Sequence, residues 1–152
     1  DRWFAAIGLV IIGCGLIAIG IIDAITHRVP RYINGLAITL GVPLLALDAV
    51  IHWDLGNLLR AGVGALALFA FFVALKSVAQ GSFGKGDVLL APIVGFALAY
   101  NSWGALLNGV VAIFLIGGVV SAVLLLTGRV SRKSRIAFGP YIVAGTLLAL
   151  II

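Results

Sequence analysis

The chain has 152 residues, 63% of them apolar and only 10% charged, with ten basic and five acidic side chains for a formal net charge of +5 and a mean hydropathy of +1.28. A soluble domain is about half apolar and about a quarter charged. A polar-coated globule is therefore excluded, and the bilayer must be the solvent. The apolar runs are continuous and far longer than the ~9–11 residues of a membrane strand, so an outer-membrane barrel does not fit either.

Each hydrophobic segment is measured against the ~20 residues that cross ~30 Å of hydrocarbon. The first, 3–22, carries the single cysteine, Cys14, expected as a small buried hydrophobe. It is too long, and too well followed by others, to be a removed signal peptide. The absence of methionine at position 1 suggests a processed start. It ends at Asp23, in the run Asp-Ala-Ile-Thr-His-Arg-Val-Pro. The second, 33–51, holds Asn34 near its start and Asp48 near its far end. The third is 58–78. A glycine-rich stretch, Gly81-Ser82-Phe83-Gly84-Lys85-Gly86-Asp87, leads into the short fourth segment, 87–100. To span fully as a helix, that segment must recruit 84–86 or reach toward Gly104. The fifth is 103–126, and the sixth, 136–152, follows the basic run 128–135.

The pattern predicts an all-α integral membrane protein of six transmembrane helices, forming one polytopic domain over 1–152. Arg28, Arg31, Lys76, Lys85, Arg129, Arg132, Lys133 and Arg135 fall in the loops after spans one, three and five. Only Arg2 and Arg60 fall on the other side. By the positive-inside bias these basic loops are cytoplasmic, and both termini face away from the cytoplasm. Trp3, Trp53, Tyr100 and Trp103 lie near segment ends, as an aromatic belt requires. The basic run at 128–135 is read as topology control and attraction to anionic lipid headgroups rather than nucleic-acid binding.

Glutamate is absent, so the acids are Asp1, Asp23, Asp48, Asp54 and Asp87. Asp23 and Asp87 fall on the cytoplasmic side, and a carboxylate at the edge of a bilayer is costly unless something uses it. Asp48 sits about a membrane thickness away and is read as an interfacial acid paired with His52 or Arg60. Two carboxylates in one site cannot easily both ionise, so the pair holds a single proton. The ionised member can then take a proton from water while the neutral one polarises a scissile carbonyl. Glycines before Asp87 would let an extended substrate backbone approach, or simply form a turn with Asp87 capping a helix. No metal or other cofactor is required.

Asp23 followed by His27-Arg28-Val29-Pro30 and Asn34 resembles the first signature of the prepilin peptidases. Gly84-Lys85-Gly86-Asp87 is similar to their Gly-x-Gly-Asp motif. Ala137-Phe138-Gly139-Pro140-Tyr141, with Gly145 beyond, resembles the motif that opens their last helix. The three signatures in this order cover essentially the whole chain. The resemblance implies an aspartic endopeptidase of the bacterial or archaeal cytoplasmic membrane, with Asp23 and Asp87 as its catalytic acids. Arg28, Pro30, Asn34, Gly84, Lys85, Gly86, Gly139 and Pro140 would support them. The implied substrate is a type IV pilin-like or pseudopilin precursor with a short basic leader. Where the family usually has lysine two residues after the second aspartate, this chain has Leu89. Longer relatives carry an N-terminal insertion with four cysteines and also methylate the new pilin N-terminus. With its single cysteine the chain resembles the short forms that serve Flp/Tad-type pilins, and methyltransferase activity is not supported.

A zinc protease with a His-Glu-x-x-His helix is excluded by the missing glutamate. A metal held by Asp23, His27 and Asp87 is the lesser reading of those residues. A serine protease at Ser82 lacks a histidine in a later span to serve as base. The rival from another class is a non-catalytic membrane protein, a transporter subunit or assembly factor. In it Asp23 would pair with Arg28 or Arg31 and Asp87 with Lys85. An inactive family member is the other alternative.

Overall fold

A computed structural model describes residues 2–78, 84–128 and 138–152, all of them helical apart from short connections. The helices are α1 (Trp3–Thr26), α2 (Arg31–Ile51), α3 (Leu55–Val78), α4 (Lys85–Asn101), α5 (Trp103–Leu126) and α6 (Gly139–Ile151). Gly81, Ser82, Phe83, the basic residues from Arg129 to Arg135, and Ala137 lie outside the described residues.

Local chemistry sets the helix ends. α1 runs a turn past Asp23 and stops where His27 takes the left-handed conformation, φ 53°, while its N–H donates to the Asp23 carbonyl at 2.8 Å. Histidine is one of the residues that tolerates that region. Pro30 then sits at the N-cap of α2, where its missing N–H costs nothing. Ser102 ends α4 and begins α5, its Oγ accepting from the Ala105 N–H at 2.8 Å.

The helices pack chiefly as three successive hairpins, α1 on α2, α3 on α4, and α5 on α6. Small residues let the backbones meet. A Cβ on Gly95 would strike the Gly64 carbonyl, and one on Gly145 would lie 2.7 Å from Cα of Ile113. α4 is the interior helix. It touches all the others, and Leu90, Val94, Ala97 and Leu98 on its several faces are fully enclosed. Large apolar side chains of α3 and α5, among them Leu59, Leu66, Leu107, Val111 and Leu115, face outward instead. A surface of this kind belongs in lipid.

α1, α2, α3 and α5 are long and apolar enough to cross a membrane. α4, with 17 residues, and α6, with 13, are about 25 and 20 Å long, below the hydrocarbon thickness. Length therefore supports four crossings directly rather than six. α4 did recruit Lys85 and Gly86, as its shortness demanded. Two further expectations are corrected. Cys14 is exposed rather than buried, on a face of α1 turned away from the bundle. Tyr100 belongs to the interior rather than an aromatic belt because its hydroxyl has a buried partner. Trp3, Trp53 and Trp103 are exposed near helix ends as expected.

Candidate functional site

The C-terminal turns of α1 meet the N-terminal turns of α4 and α6 at one end of the bundle. Asp23 projects from α1 and Asp87 from the first turn of α4. Both are buried, with 6% and 4% of their surface exposed, unusually low values for carboxylates. They lie close enough for their charges to act on each other.

Each acid is oriented by a backbone N–H. Asp87 reaches back so that its Oδ2 accepts from Gly84 N at 3.2 Å. This is one half of a capping box, whose other half a glycine cannot supply. Asp23 Oδ2 accepts from Gly139 N at 3.1 Å, a bond spanning 116 residues of sequence. A Cβ at position 139 would run into the Asp23 carboxyl group, so only glycine lets the start of α6 approach so closely. The second oxygen of each carboxylate makes no hydrogen bond among the described residues.

Neighbouring contacts hold this arrangement. A Cβ on Gly86 would collide with Val29, so the first turn of α4 packs directly on the α1–α2 connection. Phe138 seats its ring where Gly117 of α5 leaves a notch. It also stacks with Phe114 and Tyr141 at ring separations of 5.7 Å each. These contacts deliver Gly139 to Asp23. Pro140 follows in the first turn of α6, where proline is pre-organised for a helix. Asn34, buried on α2, donates from Nδ2 to the Leu89 carbonyl of α4 at 3.1 Å. Arg28 and Lys85 are exposed. Among the described residues, neither Asp23 nor Asp87 has a cationic side chain within 4 Å, unlike Asp54, which Arg2 holds at 2.7 Å.

The structure thus gathers Asp23, Asp87, Gly84, Gly86, Asn34 and Gly139, while Arg28 and Lys85 stay at the periphery. Val29, Gly117 and Phe138 also carry weight. Their sequence signals were a β-branched residue beside Pro30, paired glycines inside an apolar helix, and an aromatic residue at the start of the last one.

Asp48 stands apart at the opposite end and is fully buried, not interfacial. Its oxygens accept from the Tyr100 hydroxyl at 3.0 Å and from Ala5 N in the first turn of α1 at 3.3 Å. His52 lies 3.5 Å away, as expected. Arg60 does not pair with Asp48. It donates instead to the Ala99, Tyr100 and Asn101 carbonyls, because the last turn of α4 offers carbonyls without helical partners.

A sequence profile described as the type IV leader peptidase family matches residues 10–126, a stretch that holds Asp23 and Asp87. The prepilin leader peptidase/N-methyltransferase of Bacillus subtilis (strain 168) is 34% identical over 87 residues, which is 57% of this chain and 34% of that protein. The alignment therefore spans about a third of the curated relative's length. No solved structure matches.

Proposed function

The chain belongs to the type IV leader peptidase family, and on that premise we propose that it is an aspartic endopeptidase that removes the short basic leader of type IV pilin-like or pseudopilin precursors, with Asp23 and Asp87 as its catalytic pair. The observation that carries this reading is their arrangement. Two buried carboxylates from different hairpins lie within reach of each other's charge, each held by one backbone N–H, each with its other oxygen unbonded among the described residues.

The chemistry follows from one proton shared by the pair. The ionised carboxylate accepts a proton from water as its oxygen attacks the scissile carbonyl carbon. The neutral carboxyl donates its proton to the carbonyl oxygen. The tetrahedral intermediate collapses as the C–N bond breaks: the acid that took the water's proton gives it to the leaving amine, one hydroxyl of the intermediate returns its proton to the other carboxylate as the new carbonyl forms, and the pair again holds one proton. The N–H groups of Gly84 and Gly139 fix the carboxylates in place during these transfers. The alternative, acids held permanently ionised by basic partners, lacks such a partner in the described contacts.

In this reading the catalytic end faces the cytoplasm, where Arg28, Arg31, Lys76 and Lys85 cluster and anionic headgroups can hold the leader's charges. α4 and α6 complete the bundle inside the membrane, shielded by the four longer helices. The enzyme works in the cytoplasmic membrane of a bacterium or archaeon. Co-expression with a pilin-like precursor tests the proposal: mass analysis is expected to find the precursor shortened by its leader. A precursor that stays full-length beside folded, membrane-inserted protein contradicts it.

A further inference from the structure

We propose that Asn34 is a positioning residue for Asp87, fixing the catalytic turn of α4 through the Leu89 carbonyl; this rests on the assignment of Asp87 as a catalytic acid. Three observations carry it. α2 and α4 touch over very little of their length, and their hydrogen bonds fall at the two ends of the pair. Tyr100 to Asp48 ties the end away from the site, and Asn34 Nδ2 to Leu89 O ties the end beside it, two residues after Asp87. Secondly, Pro92 lies inside α4. It cannot donate to the Val88 carbonyl, and its ring crowds that group, so the helix is weakest in the turn that follows Asp87. In a membrane helix a neighbouring side chain characteristically steadies such a turn, and Asn34 bonds the adjacent carbonyl.

The third observation is energetic. Asn34 is buried, and among the described residues its Oδ1 has no hydrogen-bond partner. One neutral hydrogen bond contributes no more to stability than an unpaired buried acceptor costs. The amide therefore gives the fold little net stability. What it does supply is a fixed distance between α2 and the turn bearing Asp87. A residue that adds geometry without stability, next to a catalytic acid, acts on the rate.

The test compares the wild-type chain, Asn34→Leu, Asn34→Ala and Asp87→Asn in proteoliposomes with a pilin-like precursor, recording kcat, KM and thermal unfolding. Leucine keeps asparagine's branched heavy-atom skeleton but removes both polar atoms. Asn34→Leu is expected to unfold at or above the wild-type temperature, with kcat at least 10-fold lower and KM within about twofold. Asn34→Ala, which adds a cavity, is expected to lower kcat similarly and also to lower the unfolding temperature. Asn34→Leu with wild-type kcat overturns the proposal, as does a kcat loss that appears only where the variant is partly unfolded. If Asp87→Asn is inactive while Asn34→Leu is fully active, the positioning role alone fails. If Asp87→Asn still cleaves, the catalytic assignment fails and takes this inference with it.

Discussion

Gly139 shows how closely the end of the bundle that holds Asp23 and Asp87 is fitted. Its N–H reaches Asp23 only because no side chain intervenes. Gly139→Ala is expected to push the carboxyl aside and cut leader removal at least ~10-fold, since displacements of about 1 Å near reacting groups are that costly. Gly35→Ala, with open space around the added carbon, is expected to leave cleavage unchanged; equal rates for both variants in a cleavage time course would refute the fitted contact. At the opposite end, Asp48→Ala strips the Ala5 N–H and the Tyr100 hydroxyl of their acceptor. A loss of about 1–3 kcal/mol is expected in detergent unfolding. The acids themselves were legible in the sequence because charge in an apolar run stands out. Their partners were not. Gly139 lies 116 residues from Asp23 and Tyr100 lies 52 from Asp48, and no local pattern encodes such pairings.

Among the helices, apolar run length located all six and hydropathy identified the solvent, but the ends depended on stereochemistry that hydropathy does not read. α1 extends past the acid because Ala24-Ile25-Thr26 is still compatible with a helix, and only the His27 conformation ends it. α4 is short for a related reason. A helix that touches all five others needs little lipid-facing length, and its first turn carries Lys85 and Asp87 rather than apolar side chains. Its closest approach is to α3, where Gly64 and Gly95 put the two backbones in contact. Gly95→Leu is expected to force these helices apart and destabilise the protein by about 1–3 kcal/mol or more. The check is its unfolding midpoint against that of Gly118→Leu, whose position has open space and which is expected to behave as wild type.

Taken together, the three hairpins converge so that one acid comes from the first, the other from the second, and the N–H that holds Asp23 from the third. No single hairpin could form the site. The charge bias of the loops further predicts which way the bundle faces. In a Cys14→Ser background, a cysteine at position 28 or 85 is expected to react only with a reagent that reaches the cytoplasmic face, and one at position 54 only with a reagent applied outside. Labelling of positions 28 and 85 from outside would reverse the orientation and remove the basis for leader capture at the inner headgroups.

The most direct measurement replaces one carboxyl oxygen at a time. Cleavage of a pilin-like precursor is followed for Asp23→Asn, Asp87→Asn and Asp48→Asn, each verified as folded. The paired-acid account predicts that the first two each lose ~10²-fold or more of the wild-type rate, while Asp48→Asn cleaves normally. Near-normal cleavage by either Asp23→Asn or Asp87→Asn would contradict it.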